Sequence, residues 1–342
     1  MIINVIQIGL GPIGLGTVKR LLEHPNVKVV GAVDPASDKA GRALAELFPN
    51  DSAPQGAAGI TVSPSLEKAL SGLQDKPVTA VHTTGSFLEN ITSQIIELVE
   101  NKLNVVSTTE ELAYPWWHHP VESKKIDEYA KKNNVTVLGT GVNPGFVMDL
   151  LPIVASGVSA SVDSVYVERI VDAGKRRGPL KKKVGAGITV DEFNKRKATG
   201  QFGHIGLVES VAMIGAAYSW KLKEIKDDLK PKVAEEPYDS PDVKVKPGDV
   251  LGIDQTSTGY DEDGKERIRL HLEMYVGARD PHDSVRLSGV PDMDVSVKNG
   301  TPGDIATVSA AVNYIPLVTN APAGLKTPIE LPPPRWFGIT KK

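Results

Sequence analysis

The chain has 342 residues and a formal net charge of −3, from 39 basic and 42 acidic side chains, and it contains no cysteine. This length allows two domains, and the near balance of charge gives no electrostatic footprint for nucleic acid or for a membrane surface. Without cysteine there is no disulfide, thiolate nucleophile or cysteine metal site. No apolar run reaches the ~18 residues that span a bilayer, and no signal peptide is apparent, so we expect a cytoplasmic protein.

The first 34 residues follow the order of strand, glycine-rich turn, helix and strand. An apolar run at residues 2–8 precedes Gly9-Leu10-Gly11-Pro12-Ile13-Gly14, and an amphipathic helical pattern then leads into a second apolar run at residues 27–33. A GxGxxG pattern is weak evidence by itself. Between a strand and a helix, however, it predicts a dinucleotide-binding turn.

Each part of this turn has a physical reason. Gly9 permits a tight turn, Gly11 lets a pyrophosphate approach the backbone, and Gly14 lets the helix pack closely against the strand. The helix N-terminus, where Pro12 and Ile13 lie, supplies N–H groups and positive dipole charge to an anion. The alternative is a glycine-rich turn that binds nothing.

Asp34 follows the second apolar run, at the distance from the glycines that ribose-binding acids have. Its carboxylate would accept hydrogen bonds from the adenosine ribose hydroxyls and would repel a 2′-phosphate, which favours NAD over NADP. Lys39 and Arg42 follow closely enough that NADP use stays possible. The alternative for Asp34 is an ordinary turn acid before Pro35.

Helix and strand patterns continue to alternate up to residue 140. Helices are predicted around residues 40–47, around Ile91, Ile95 and Leu98, and from residue 115 toward 132 with Val121 and Ile126 buried. Strands are predicted at residues 78–84, 104–107 and 135–138. This alternation predicts an α/β fold with a doubly wound parallel sheet.

Glycine and proline at residues 139–145 mark a plausible crossing into a second domain. Strands are predicted beyond it at residues 162–167 and 267–276, and helices at 190–197 and 207–217. The charged, proline-containing residues 221–249 are predicted to form a surface connection. A last helix is predicted to open near Gly303 with Asp304 as its N-cap and to bend or end at Pro316.

Three polar segments follow predicted strands at residues 82–86, 107–111 and 139–145. Ligands of open α/β sheets bind at the carboxyl ends of the strands, so we expect these segments to converge near the nicotinamide end of a dinucleotide. Asn143 could contact the nicotinamide carboxamide, or could belong to a rigid turn. Further cofactor contacts are predicted at Thr83, Thr84, Gly85, Ser107 and Thr108.

Glu110 and Glu111 are the only carboxylates at these strand ends. A carboxylate beside the nicotinamide could hold a cation or transfer a proton. Each could instead complement a helix dipole, and adjacent residues seldom face the same way. We therefore expect only one of the two to point into the site. No HExxH or comparable spacing of histidine and carboxylate occurs, so no metal ion is expected.

A basic concentration follows in the second half, at Arg169, residues 175–177 and residues 181–183. It could clamp an anionic substrate, although such runs more often form a solvated turn or a subunit contact.

Seven groups of residues recur together in one family. They are Gly9-Leu10-Gly11-Pro12-Ile13-Gly14; Ser107-Thr108-Thr109-Glu110-Glu111-Leu112 with Tyr114-Pro115; Gly141-Val142-Asn143-Pro144-Gly145-Phe146 with Met148-Asp149; Asp172-Ala173 with Arg176-Arg177 and Pro179-Leu180; Lys183 with Gly185 and Gly187; Gly203-His204 with Gly206-Leu207 and Glu209-Ser210; and Gly303-Asp304 with Ala306-Thr307. In these residues the chain resembles the 2,4-diaminopentanoate dehydrogenases and native amine dehydrogenases, within the group built like dihydrodipicolinate reductase.

The resemblance implies a Rossmann domain at residues 1–141, onto which residues 303–342 pack back, and an α+β substrate and dimerisation domain at residues 142–302. It implies a homodimer that deaminates an amine or diamine with NAD(P), or in reverse aminates a ketone or aldehyde with ammonia. Glu110 takes the place of the family's catalytic glutamate. The expected substrate pocket consists of Val142, Phe146, Val147, Ile170, His271 and Thr307.

Two other functions stay open on the sequence. One is a C=N reductase for an acidic substrate, clamped by the basic run, although the Pro-Ser-Gly-Thr loop of dihydrodipicolinate reductase is missing. The other is a protein that binds NAD without turnover.

Overall fold

The computed structural model describes residues 2–49, 52–175 and 178–336. The chain divides into two compact units. The first contains the residues up to Phe146 and those from Pro302 onward, and the second is Val147–Thr301. The family resemblance implies domain boundaries at residues 142 and 303. None of the helices within the described ranges is long and apolar enough to span a bilayer.

The strands are β1 (Ile3–Ile8), β2 (Val27–Val33), β3 (Val62–Ser63), β4 (Thr79–His82), β5 (Asn104–Ser107), β6 (Thr136–Gly139), β7 (Ser161–Asp172), β8 (Leu222–Val233), β9 (Tyr238–Ser240), β10 (Val243–Val245), β11 (Val250–Asp261), β12 (Glu266–Tyr275), β13 (His282–Val290), β14 (Met293–Lys298) and β15 (Gly324–Lys326). The α-helices are α1 (Pro12–Leu22), α2 (Leu66–Ser71), α3 (Leu88–Glu100), α4 (Pro120–Asn133), α5 (Leu150–Ala155), α6 (Gly178–Lys183), α7 (Val190–Lys197), α8 (Leu207–Ala217) and α9 (Gly303–Thr319).

The first unit is built on a seven-stranded sheet in the order β15-β6-β5-β4-β1-β2-β3. All neighbouring strands in it are parallel, which confirms the predicted doubly wound α/β fold. Successive strand residues point to opposite faces. Val105 therefore joins a core with α3 and α4, while Val106 joins a second core with α1 and α9. Burial on both faces is why these strands have continuous apolar sequences.

The helix predicted at residues 40–47 is wrong. Only a 3-10 turn at Leu44–Leu47 forms there. Gly41 adopts a left-handed conformation with φ of 84°, and Ala43 forms an isolated bridge to Thr61. These backbone bonds to a neighbouring segment replace the i to i−4 bonds of a helix. Helix α4 begins at Pro120 rather than at residue 115. Val121, which was predicted to be buried, is 74% exposed.

The last helix also differs from the prediction at both ends. Pro302 is the N-cap of α9 and Asp304 lies inside the first turn. Pro316 neither ends nor interrupts the helix assignment, which continues to Thr319. Ile315 and Val318 around it are fully buried, so packing of the last turn offsets the one backbone hydrogen bond that proline cannot make.

The second unit contains a six-stranded sheet in the order β14-β13-β7-β12-β11-β8. Only the β7–β12 pair is parallel among its described strand pairs. The predicted surface connection at residues 221–249 is wrong, because β8 pairs with β11 along its whole length. Most of its charged side chains are exposed, and Pro231 is tolerated because β8 is an edge strand.

Candidate functional site

The glycine turn between β1 and α1 has one open side and one closed side. A Cβ on Gly14 would lie 2.1 Å from the carbonyl oxygen of Gly9, so helix and turn are in direct contact there. A Cβ on Gly11 would meet nothing within 4 Å. Gly11 is the N-cap of α1, with no side-chain hydrogen bond to the helix and no acidic residue in the first turn. The N-terminus of α1 thus faces open space, and its first turn has no acidic side chain to offset the positive dipole charge.

Two polar side chains, Gln7 and Thr83, form hydrogen bonds to the glycine turn. Gln7 Nε2 donates to the Gly9 carbonyl oxygen and to Thr83 Oγ1, both at 3.0 Å. Thr83 Oγ1 donates to the same Gly9 carbonyl, also at 3.0 Å. Gln7 is fully buried. Its role was not predicted from the sequence, although an amide side chain just before the glycine turn was the available signal.

Asp34 is buried at the end of β2 and joins three hydrogen bonds. Its Oδ2 accepts from the Leu10 N–H at 2.8 Å and from Lys39 Nζ at 2.9 Å, and its Oδ1 accepts from the Ala36 N–H at 3.0 Å. Burial by itself raises the pKa of this carboxyl, but the hydrogen bonds from Lys39, Leu10 and Ala36 together hold the pKa below its usual value. Asp34 is therefore an anion that ties the glycine turn to β2.

A cavity of about 570 Å³ opens between the glycine turn and Asp34. This volume lies in the range of small-molecule and cofactor sites. The open space at Gly11 lies at the turn end of the cavity, and Pro64, Leu66 and Leu98 contribute apolar walls. The cavity-lining residues of this unit include Gly9, Gly11, Asp34, Lys39, Pro64, Ser65, Leu66, Thr83, Thr84, Glu97 and Leu98. The site fits the adenosine and phosphate part of a dinucleotide.

The polar segments after β4 and β5 are joined by hydrogen bonds. His82 Nδ1 lies 2.9 Å from Ser107 Oγ, and His82 Nε2 lies 2.8 Å from Thr84 Oγ1. Ser107 Oγ is 3.0 Å from Thr109 Oγ1, which donates to the Gly85 carbonyl at 2.8 Å. Burial lowers the pKa of His82 to about 4, so the ring is neutral at pH 7. A neutral, fully bonded imidazole here positions the two strand ends relative to each other.

Glu110 and Glu111 have different surroundings. Glu111 Oε2 accepts from the Leu88 N–H at 2.6 Å and lies 3.1 Å from His119 Nε2. Leu88 is the first residue of α3, so Glu111 caps that helix. Glu110 is half-buried and stands directly before the 3-10 turn Glu111–Ala113. The role of Glu111 in α3 favours Glu110 for any chemistry at this strand end, and that assignment stays a prediction.

The loop after β6 is compact. Asn143 is buried and precedes a cis peptide bond to Pro144. Gly145 has a φ of 123°, and a Cβ there would lie 2.4 Å from the Gly141 nitrogen. The Val142 N–H donates to Thr307 Oγ1 of α9 at 3.3 Å. Val142 and Thr307, two of the predicted pocket residues, are therefore neighbours in the first unit.

The predicted pocket residues Val147, Ile170 and His271 belong to the second unit. Phe146 is half-buried and is the last residue of the first unit before the chain enters the second. Val147 is buried. Gly259 and its partner Ile268 face Val211 of α8, and strand alternation places Ile170 and His271 on the opposite face of the sheet.

His271 lies between carboxylates on that face. Its Nδ1 is 3.1 Å from Glu168 Oε2 and its Nε2 is 3.1 Å from Asp254 Oδ1. The hydrogen bond to Asp254 is the largest influence on the pKa of His271, which is raised, and that of Asp254 is lowered. Asp254, His271 and Glu273 offer ligand atoms within 4.8 Å of one another, a group that sequence spacing did not predict. Lys232 Nζ lies 2.6 Å from Glu273 Oε1 and offsets part of the negative charge of these carboxylates.

Two cations of the basic concentration, Arg169 and Lys181, form ion pairs with carboxylates. Arg169 is buried, and its Nη1 donates to Asp283 Oδ1 at 2.6 Å. Lys181 Nζ donates to Asp242 Oδ2 at 2.9 Å. Arg176 and Arg177 lie outside the described residues. The proposed anion clamp therefore loses two of its cations to internal carboxylates.

Comparison with known proteins adds to this geometry. A family model described as the 2,4-diaminopentanoate dehydrogenase C-terminal domain matches residues 146–340. The 2,4-diaminopentanoate dehydrogenase of Acetoanaerobium sticklandii is 35% identical over 340 residues, which cover 97% of this chain and 94% of that protein.

Two solved structures share the fold. The amine dehydrogenase of Mycobacterium smegmatis superposes with a TM-score of 0.83 at 24% identity, covering 98% of this chain and 97% of its own. A dipicolinate-bound dihydrodipicolinate reductase from Paenisporosarcina sp. TG-14 superposes with a TM-score of 0.51 at 14% identity, covering 94% and 97%. The near full-length relative and the family model lead to one conclusion: the chain belongs to the 2,4-diaminopentanoate dehydrogenase family.

Proposed function

We propose that this protein is an NAD(P)-dependent amine dehydrogenase. It deaminates an amine or diamine such as 2,4-diaminopentanoate, and in reverse it aminates a ketone or aldehyde with ammonia. The observation that carries the proposal is the 35% identity to a 2,4-diaminopentanoate dehydrogenase across 97% of the chain. The carboxylate partners of Arg169 and Lys181 weaken the alternative in which the basic run clamps an acidic substrate.

The cofactor is a nicotinamide dinucleotide held by the first unit. When bound, its nicotinamide ring supplies or accepts the hydride. The glycine turn receives the pyrophosphate at the N-terminus of α1, because that end lacks a capping side chain and faces open space at Gly11. Asp34 receives the adenosine ribose, and its negative charge favours NAD over NADP. Thr83, Thr84, Gly85, Ser107, Thr108 and Asn143 complete the cofactor contacts.

Glu110 is the catalytic residue in this proposal. Its carboxylate orients ammonia and accepts a proton as the nitrogen bonds to the carbonyl carbon. It returns that proton to the former carbonyl oxygen, which leaves as water, and as an anion again it stabilises the positive charge of the substrate iminium that the hydride reduces. Glu111 supports the proposal indirectly, because its bond to the Leu88 N–H commits it to α3. Val142, Phe146 and Val147 provide apolar surroundings for the carbon skeleton, and Ile170, Thr307 and the polar His271 complete the proposed substrate pocket.

The first test is NADH oxidation with small ketones and aldehydes, with and without concentrated ammonium at alkaline pH. We also expect reduction of NAD by 2,4-diaminopentanoate. Oxidation that requires ammonium supports an amine dehydrogenase. Oxidation that is independent of ammonium would instead identify a carbonyl or imine reductase. NADH binding with no turnover on either panel would contradict the proposal and favour a nucleotide-binding protein without activity.

The role of Glu110 has its own test. Glu110→Gln should reduce kcat for amination by about 10²–10⁴-fold, the usual contribution of a positioned acid–base group, with NADH still bound. Glu111→Gln is the matched control, since it removes the same charge one residue away. Near-normal kcat in Glu110→Gln would refute the assignment.

We also propose that the protein is a homodimer, as the family resemblance implies. The supporting feature is the half-buried polar face of the second sheet that carries Glu168 and His271, away from α8. Light scattering coupled to size exclusion chromatography should give twice the mass of 36.6 kDa. A monomer at micromolar concentration would contradict this. The cytoplasmic location stays a prediction.

A further inference from the structure

The cofactor cavity of the first unit contains a single cationic side chain among its described lining residues. Lys39 provides it, and the anionic side chains are Asp34 and Glu97. Arg42, the other cation close in sequence, is turned away. Its Nε donates to Glu46 Oε2 at 3.0 Å and its Nη1 donates to the Asp38 carbonyl at 3.1 Å. Any group that carries negative charge at the Asp34 end of the cavity therefore depends on Lys39 for compensation.

The donors to Asp34 differ in how firmly they are held. Leu10 and Ala36 donate through backbone N–H groups, which belong to the turns on either side of the carboxylate. Lys39 donates through the end of a flexible four-carbon chain that is 25% exposed. Lys39 can therefore leave Asp34 while the two backbone bonds continue to hold the carboxylate in place.

We propose that Lys39 is a movable counter-ion that determines whether the site accepts NADP. This inference rests on the proposed nicotinamide-dependent function. With NAD, Lys39 stays on Asp34, whose remaining acceptor capacity serves the ribose hydroxyls. With NADP, Lys39 turns from Asp34 to the 2′-phosphate, which carries close to two negative charges at neutral pH and would otherwise meet the carboxylate directly.

The competing explanation is that Lys39 only fixes the conformation of Asp34. In that case its removal should weaken both cofactors alike, because both have the same ribose and pyrophosphate. The two explanations therefore differ in the ratio of the two affinities. Binding can be measured without any amine substrate, from the fluorescence of NADH and NADPH and from calorimetry with 5′-ADP and 2′,5′-ADP.

The decisive variants are Lys39→Ala and Lys39→Arg. In Lys39→Ala we expect the ratio of Kd for NADPH to Kd for NADH to rise by about tenfold to a hundredfold, the usual effect of losing a charge-assisted contact. The ratio of Kd for 2′,5′-ADP to Kd for 5′-ADP should rise by the same factor. The salt dependence of 2′,5′-ADP binding should be weaker in Lys39→Ala than in the parent protein. Lys39→Arg should restore NADPH binding, because it keeps the charge.

Two matched controls remove a cation outside the cavity lining. Lys28→Ala removes a lysine paired with Asp75 at the surface of β2, and Arg42→Ala removes the arginine bound to Glu46. Both should leave the affinity ratio as in the parent protein. Proportional weakening of both cofactors in Lys39→Ala would overturn the inference and leave the proposed function standing. A parent protein that binds NADH but no NADPH would also overturn it. Failure to bind either cofactor would refute both.

Discussion

Substitutions at Gly11 and Gly14 should separate cofactor binding from folding stability within one turn. In Gly14→Ala the new methyl group would lie 2.1 Å from the Gly9 carbonyl oxygen and 2.8 Å from Thr83 Oγ1. Neither partner can rotate away easily, because Gly9 is backbone and Thr83 Oγ1 bonds to that same carbonyl. Helix α1 must therefore move. Overpacking of this kind costs up to about 3 kcal/mol, and the helix propensity gained over glycine returns about 1 kcal/mol.

The expected net loss in Gly14→Ala is thus about 2 kcal/mol, which corresponds to a fall in Tm of about 4–8 °C. Gly11→Ala places its methyl group in open space, at φ −68° and ψ −176°, which alanine adopts without strain. Its stability should change by less than about 1 kcal/mol. Its Kd for NADH should nevertheless rise about tenfold or more, since the methyl group occupies the expected position of the pyrophosphate.

Differential scanning fluorimetry and NADH fluorescence titration, run on both variants below their melting temperatures, measure these two effects. The reasoning is refuted if Gly14→Ala melts with the parent protein, because the contact with Gly9 would then not be close. It is equally refuted for the cofactor site if Gly11→Ala binds NADH as tightly as the parent.

Three further predictions concern buried or paired charges. The folded protein holds His82 neutral with a pKa of about 4, whereas the unfolded chain protonates it near 6.5, so this residue should cost about 3 kcal/mol of stability as the pH falls from 6.5 to 4. His82→Asn should flatten that part of a urea-unfolding profile, and an unchanged acid slope would contradict the burial argument. The pKa of His271 is raised, so its stabilising effect is full below its unfolded pKa and is lost as the pH rises through the folded value. His271→Asn should therefore lose more stability at pH 6 than at pH 9, and equal losses would argue against its charge pairing. Arg169→Met leaves Asp283 buried without its guanidinium partner, which should cost about 3–5 kcal/mol in unfolding experiments. A loss below 1 kcal/mol would show that the pair is solvated.

Local sequence was sufficient where one element decides its own structure. The hexapeptide at residues 9–14, with Asp34 after the next strand, predicted the glycine turn, because each glycine has a steric reason that depends on near neighbours. The alternation of strand and helix patterns predicted the parallel α/β sheet. The bounds of β2 and β5 were likewise predicted as they occur, since both strands are mostly buried and centre on valine residues. Helices α7 and α8 were also predicted at their observed bounds.

Backbone pairing between segments distant in the chain could not be predicted from local sequence. The charges of β8 indicated a surface connection, yet its backbone pairs with β11, and strand alternation turns many of those charges to solvent. The segment around Gly41 had a helical pattern but bonds to residues 60–62 instead. In both places the hydrogen bonds come from a segment far along the chain, and no local periodicity reports them.

The sequence by itself determined the fold class, the glycine turn between β1 and α1, and the pair of glutamates at one strand end. Only the tertiary structure decided that Glu111 caps α3, that Lys39 rests on Asp34, and that Arg169 is buried against Asp283. The physical reason is common to all three. A side chain's residue type fixes what it can donate or accept, but the partner that occupies it is set by elements brought together in folding.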